Sequence, residues 1–174
     1  MYRSPFLVNV GSIRRSVGTQ AHFDVSGSID GLVVSESSVP PDAKVEASFD
    51  ARSIMGGVEI KGRLSAPYTS TCRRCLAEIN SVIEAQFDEM FLEPREEDKS
   101  IAEESYLIEG DELDLEPLLR DVIGLSLPIA PLCRDDCKGL CPECGTNLNE
   151  TDCGHHIDLT DPRWDALNDL NSDN

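Results

Sequence analysis

The sequence predicts an α+β protein: an antiparallel β-rich sheet or open barrel, one central helix, a cysteine-rich C-terminal knuckle and a short C-terminal helix. Three observations carry this expectation. Residues 6–91 divide into β-prone runs separated by turn residues, the pattern of a meander or an open barrel. One stripe of apolar residues at helical spacing follows, between 114 and 127. Cysteines then crowd into residues 133–153.

The strands come first. Phe6-Leu-Val-Asn-Val10 is a short β-rich run, and Ala21 to Val25 alternates around Phe23 and ends near Gly27. Lys44 to Phe49 alternates strictly, with Val45, Ala47 and Phe49 on one face and Lys44, Glu46 and Ser48 on the other, as a half-buried strand requires. Gly56-Gly57 marks a turn. Val58, Ile60 and Arg63-Leu64 make the next strand, which Gly62 is expected to break, and Pro67 introduces another run, Tyr68 to Thr71. Ile79 to Phe91 reads as a strand, although Ala85, Gln86 and its glutamates leave a helix open. Residues 93–112 are acidic, contain Pro94 and read as a solvated loop, with Tyr106 to Ile108 as a short strand inside it. The segment exceeds the usual loop length, which marks it as mobile or functional.

The helix spans 114–127. Asp114 is its expected N-cap, Pro117 falls in the first turn, and Leu115, Leu118, Leu119, Val122 and Ile123 form a stripe for the core. Leu127-Pro128 ends it. At the C-terminus Asp161 caps, Pro162 takes the first helical position, and Trp164 and Leu167 share a face. The chain thus divides into a β-rich domain, 1–132, carrying the acidic loop and the helix, and a C-terminal metal-binding module, 133–174, packed on it.

Charge narrows the function. Of 174 residues 33 are acidic and 15 basic, net −18, which argues against non-specific nucleic-acid binding, since that rests on neutralising phosphates. The charge is uneven: residues 1–87 are neutral, 88–121 carry net −11 and 122–174 net −7. The second half would prefer a basic partner, while the first could still touch an anion. No apolar run approaches the length of a membrane span, and Met1 to Val10 lacks the features of a signal peptide. A cytoplasmic protein that binds neither membrane nor small-molecule substrate is the expectation.

The seven cysteines leave one over from any full disulfide framework, and in a reducing compartment clustered cysteines point to metal. Cys72-Arg-Arg-Cys75 lies between two strand-like runs and lacks the helix-start setting of a redox motif. Cys141-Pro-Glu-Cys144-Gly145 has the tight-turn residues of a zinc knuckle. Seven cysteines and one histidine make two closed Zn²⁺ sites: Cys72, Cys75, Cys133 and Cys137 in one; Cys141, Cys144, Cys153 and His155, or His156, in the other. The rival is a single site drawn from Cys137, Cys141, Cys144 and Cys153. Arg73, Arg74, Arg134 and Lys138 stand beside the ligands to offset thiolate charge. Both sites are closed, and no zinc-protease, phosphate-loop or serine-hydrolase motif occurs, so no catalytic residue is assigned. His22 stands alone and reads as a strand histidine.

Three segments resemble the bacterial YceD family. The first runs through Gly57-Val58, Gly62-Arg-Leu-Ser-Ala-Pro67, Cys72-Arg-Arg-Cys75-Leu76 and Phe87-Asp-Glu-Met-Phe91. The second runs through Asp114-Leu-Glu116 and Leu125-Ser-Leu-Pro128 to Pro131-Leu-Cys133-Arg-Asp-Asp-Cys137-Lys-Gly-Leu-Cys141-Pro-Glu-Cys144-Gly-Thr-Asn-Leu-Asn149. The third is Asp161-Pro-Arg-Trp164. Members are called large ribosomal RNA subunit accumulation proteins, and the gene often neighbours that of a small zinc-binding ribosomal protein. The resemblance implies support of large-subunit rRNA accumulation; without a catalytic motif the role is expected to be non-enzymatic, the alternatives being a structural or regulatory zinc-binding interaction module or a metal-dependent hydrolase acting on RNA. Joined to the charge division, it leads us to expect a basic ribosomal protein of the large subunit as partner, with direct rRNA contact through Arg14-Arg15, Lys61, Arg63 and Arg73-Arg74 as the open alternative.

Overall fold

The computed structural model describes residues 4–94 and 105–155. The expected C-terminal helix at Asp161 and the candidate ligand His156 lie outside these residues.

The elements in chain order are β1 (Leu7–Asn9), α1 (Gly11–Arg14), β2 (Gln20–Gly27), β3 (Val33–Val34), β4 (Ser37–Ser38), β5 (Val45–Ile54), β6 (Gly57–Thr71), β7 (Glu78–Leu92), β8 (Tyr106–Leu107), β9 (Glu112–Asp114) and α2 (Glu116–Ser126). β2, β5, β6 and β7 pair antiparallel in that spatial order, and β4 and β3 extend the sheet beside the far half of β6. β8 adds to β7 in parallel, and β1 pairs β9 in a separate ribbon. The sheet is open, and no barrel closes among the described residues.

The breaks expected at Gly62 and Pro67 do not occur. β6 runs unbroken for 15 residues through both Gly62 and Pro67. Gly62 is the gap in an aromatic row rather than a stop. Phe23, Phe49, Gly62 and Phe87 are cross-strand neighbours on the core face. Over the glycine the Phe49 ring meets Phe87 at 6.3 Å and stacks on Phe23 at 5.5 Å. Pro67 sits after the last β5 pair, Glu46↔Ser65, and before the β4 pair, Ser38↔Thr69, so on that flank its missing N–H interrupts no ladder. The turn also lies one residue earlier than expected, at Met55-Gly56, with Gly56 at φ +85°. Gly57 already belongs to β6, where a Cβ would stand 2.2 Å from the Phe91 carbonyl oxygen.

β7 resolves the strand-or-helix ambiguity. Ile83, Phe87 and Phe91 are buried, whereas Val82 and Met90 are exposed, a period of two within a strand paired along its whole length. α2 covers the core face of the sheet. Leu115, Leu118, Leu119 and Ile123 are fully buried with Phe49, Ile60 and Phe91. The cap falls on Leu115, not Asp114, because the Leu115 carbonyl accepts the Leu119 N–H at 2.9 Å. Asp114 still accepts the Glu116 N–H at 3.0 Å and the Ser4 hydroxyl at 2.8 Å.

The acidic segment is not a solvated loop throughout. The short strand expected at Tyr106 to Ile108 forms as β8 (Tyr106–Leu107); Ile108 and, just past the segment, Leu113 are buried in the core, and β8 and β9 tie their surroundings to β7 and β1. Two apolar anchors outweigh the acidity of the residues between them.

Candidate metal centres

Two short turns are built alike. In the first, which closes the β6–β7 hairpin, the Leu76 N–H donates to the Cys72 carbonyl at 2.9 Å and the Cys72 N–H to the Ala77 carbonyl at 2.8 Å. In the second, the Gly145 N–H donates to the Cys141 carbonyl at 2.8 Å and the Cys141 N–H to the Thr146 carbonyl at 2.8 Å. Each turn needs a left-handed residue after its second cysteine. Gly145 fills that position at φ +73°, and Leu76 fills it at φ +59°, against a steric cost of about 1–2 kcal/mol for a residue with a Cβ.

The first turn meets the chain leaving α2. The Arg73 N–H donates to the Pro131 carbonyl at 3.0 Å, the Arg74 guanidinium to the Cys137 carbonyl at 2.9 Å, and the Leu140 N–H to the Arg74 carbonyl at 3.1 Å. These contacts bring Cys72, Cys75, Cys133 and Cys137 together, all four sulfurs within 4.8 Å of one another. Cys72 and Cys137 lie 3.8 Å apart, and Cys75 and Cys133 3.5 Å. Both distances exceed the ~2.05 Å of a disulfide. They fit the edge of a tetrahedron of thiolates around zinc, about 3.8 Å for a Zn–S bond of about 2.3 Å. Cys72, Cys75 and Cys137 are buried with Ile79, Leu132 and Leu140 around them, and Cys133 is exposed.

The second group is Cys141, Cys144, Cys153 and His155, again within 4.8 Å. His155 Nδ1 lies 3.4 Å from Cys153 Sγ and 3.7 Å from Cys141 Sγ. A small ribbon carries it: the Leu148 N–H donates to the Gly139 carbonyl at 2.9 Å, and Leu140 bridges Asn147. Only Cys141 of this group is buried. The residues that spacing alone could place in one site or two thus lie in two separate clusters of four. Their donor chemistry, thiolate with one imidazole, suits Zn²⁺.

Electrostatics within the first cluster is divided. Burial works against ionisation of Cys72, but backbone N–H groups of Cys75, Cys133 and Arg74 outweigh it and bring the thiol down to about 6. Cys137 is likewise lowered against its burial, by the Asn149 amide and the Gly139 N–H. Cys133 is pushed up to about 12, chiefly by Cys75 and also by Cys137 and Cys72. The two lowered thiols in turn raise Cys75 and Cys133, since charge on one sulfur opposes charge on the next. A divalent cation amid the sulfurs would remove that repulsion. In the second cluster the Thr146 hydroxyl and N–H bring Cys144 down to about 6. The His155 N–H favours the Cys153 thiolate, but Cys141, burial and Cys144 outweigh it and leave that thiol raised.

Asn149 is the residue the cysteine count does not reveal. Its amide donates to Cys137 Sγ at 3.4 Å, while its oxygen accepts the Lys138 N–H at 2.8 Å and the Arg134 guanidinium at 2.9 Å. It orients a ligand and ties it to the Arg134 guanidinium and to the Lys138 backbone, the role of an outer partner in metal sites. The spacing Asn147-x-Asn149 behind a knuckle was the available signal.

His22 lies outside both clusters, on the solvent face of β2, 2.8 Å from Asp50 and 3.5 Å from Asp24. The Asp50 hydrogen bond raises it above 6.5, outweighing an opposing loss of hydration, with Asp24 adding to the rise. A raised value means that the carboxylates stabilise the cation. Their contribution is full below the ordinary pKa and fades as pH rises through the raised one. Proton NMR should therefore place the His22 midpoint above 6.5, and Asp50→Asn should return it toward 6.5; an unmoved midpoint would count against this contact.

Two cations that could have met an anion are already engaged. Arg14 pairs with Glu93 at 2.8 Å and Asp111 at 3.4 Å, and Lys61 with Glu59 and Asp88 at 3.1 Å each. No helix among the described residues is long and apolar enough to cross a membrane.

Residues 60–171 match the family described as large ribosomal RNA subunit accumulation protein YceD. An uncharacterized protein of Mycobacterium leprae is 35% identical over 142 residues, 80% of this chain and 63% of that protein. An uncharacterized protein of Mycobacterium tuberculosis is 30% identical over 169 residues, 94% of this chain and 80% of its own length. A Zea mays protein named large ribosomal RNA subunit accumulation protein YCED homolog 1, chloroplastic, is 27% identical over 150 residues; the match spans 51% of its length. No solved structure matches the chain.

Proposed function

The chain belongs to the YceD family, and from that premise we propose that it is a non-enzymatic ribosome-biogenesis factor that supports large-subunit rRNA accumulation by holding a basic ribosomal protein. The family is named for accumulation and not for a reaction. The observation that carries the binding reading is the charge division, net −11 over residues 88–121 against neutrality over 1–87. The engagement of Arg14 and Lys61 by carboxylates favours a protein partner over direct rRNA contact. The place of action is the cytoplasm.

In this reading each cysteine cluster holds one Zn²⁺: Cys72, Cys75, Cys133 and Cys137 bind the first, and Cys141, Cys144, Cys153 and His155 the second. Four protein donors per ion leave no open position for water, so the metal's contribution is folding energy. The first ion staples residues 133–155 to the β6–β7 hairpin; the second closes the ribbon that follows.

Crosslinking and affinity capture at moderate salt test the proposal. A basic large-subunit ribosomal protein should be held, and the complex should weaken steeply as salt rises. Capture of rRNA without protein would overturn it. Replacing Glu96, Glu97, Asp98, Glu103 and Glu104 by Gln or Asn removes five negative charges. Association should slow while stability changes by no more than about 0.5 kcal/mol per site. A variant that binds and supports rRNA accumulation like the parent at every salt concentration would move the function to the neutral half.

A further inference from the structure

Between α2, β8 and the β1–β9 ribbon lies a groove of about 1090 Å³, continued by a second hollow of about 530 Å³ that shares Tyr106 and Arg120. Its floor is apolar. Leu7, Phe91, Tyr106, Leu107 and Pro117 line the first part, and Val122 and the 89%-exposed Leu125 the second. Its rim is acidic: Glu109, Glu112, Asp114 and Glu116 border the first hollow, Glu89 and Asp121 the second. Among the described residues Arg120 is the one cation lining either hollow, and it is spent on Glu116 at 2.9 Å and on the Asp30 carbonyl at 2.6 Å. Tyr106 is fixed across the groove, its ring stacked on Phe91 at 5.2 Å and its hydroxyl donating to Asp121 at 2.5 Å.

We infer that this groove docks a basic amphipathic segment of another protein, apolar side chains on the floor and lysines or arginines against the rim. The inference rests on the proposed function and gives that partner a binding surface. Charge selects the occupant. Residues 156–174 of this chain carry five acids and one base, and residues 95–104 five acids and two bases. A second copy brings net −18. Each would set carboxylates against carboxylates, whereas a basic segment neutralises the rim while burying the floor.

The probe is a fluorescent Leu/Lys peptide of about 18 residues, five helical turns, with a Leu/Glu peptide of the same spacing as comparator. The full-length zinc-loaded chain should bind the first and not the second at about 0.15 M salt. Glu89→Lys with Glu109→Lys, both exposed, should weaken binding by about tenfold or more, and Glu78→Lys with Glu84→Lys, the same charge change at the solvent face and far end of β7, by much less. Equal losses from both pairs would mean bulk charge and overturn the groove. A photo-crosslinking residue in place of Leu107 should label the peptide. Labelling of residues 156–174 in the same chain, or of a second copy, would also overturn it. Capture of the same ribosomal protein by the Glu89→Lys, Glu109→Lys chain and its parent would sink the groove and leave the proposed function standing. A parent chain that captures none would sink the function, whatever the peptide does.

Discussion

A Cys72→Ser chain should hold one Zn²⁺ where the parent holds two, and should unfold at a far lower temperature. Cys144→Ser should lose the other ion and leave the sheet nearly as stable as before. The two changes remove the same atom from clusters with different places in the fold. Cys72 is fully buried at the end of β6, and its cluster joins the β6–β7 hairpin to the chain leaving α2, 58 and 65 positions away along the sequence. Cys144 is exposed, and its cluster closes only residues 141–155. Structural zinc contributes about 10–16 kcal/mol of apparent binding free energy in zinc-finger peptides, comparable with the whole stability of a domain, about 5–15 kcal/mol. Losing it from the long-range staple also leaves Cys75 and Cys137 buried without a cation. Native mass spectrometry reads the ion count, thermal unfolding the stability, and hydrogen exchange the place of the damage. For Cys144→Ser, faster exchange should be confined to about residues 139–155, since local opening need not reach the core. Equal melting losses in the two variants, or a metal-replete parent with a single ion, would contradict two independent sites.

Gly62→Ala should destabilise the protein by about 1–3 kcal/mol, although glycine-to-alanine changes elsewhere tend to stabilise. A Cβ at this position would stand 2.4 Å from Phe49 Cβ, 2.5 Å from the Ser48 carbonyl oxygen and 2.8 Å from Phe87 Cζ. A ring can swing, but the Ser48 backbone is held in the β5–β6 ladder opposite Arg63. The strand would therefore be forced apart or the aromatic row broken. For a chain of this size the loss corresponds to about 2–4 °C per kcal/mol. Gly124→Ala in α2 supplies a comparison of opposite sign. Nothing lies within 4 Å of its Cβ position, and alanine in a helix gains about 0.5–1 kcal/mol over glycine. Denaturant midpoints that fall for Gly62→Ala and rise for Gly124→Ala are expected; a Gly62→Ala chain as stable as its parent would remove the packing account of that residue.

Local patterns were enough for much of this molecule. The alternation of Val45, Ala47 and Phe49 determines a half-buried strand, because a period of two allows only one face to be apolar. The stripe Leu115, Leu118, Leu119, Ile123 determines a helix with one buried side. Cys141-Pro-Glu-Cys144-Gly145 determines a knuckle, because its turn needs the left-handed residue that glycine supplies. Tertiary structure decided what depends on distant neighbours. Gly62 and Pro67 look like breaks until Phe49 and Phe87 are seen to close over the one and the β5–β4 gap to flank the other. Leu76 carries no mark of its left-handed conformation, which the cysteines on either side of the turn impose. Ile108, expected only in a short strand within the acidic run 93–112, and Leu113, just beyond that run, are both buried, because β7 and β1 offer them a core the local sequence does not contain. The division of seven cysteines and a histidine into two clusters was arithmetic until the Arg73–Pro131 and Arg74–Cys137 hydrogen bonds brought Cys133 and Cys137 to the first turn. Spacing fixes which ligands can share a turn; only the packing of β6, β7 and the chain after α2 fixes which turns meet.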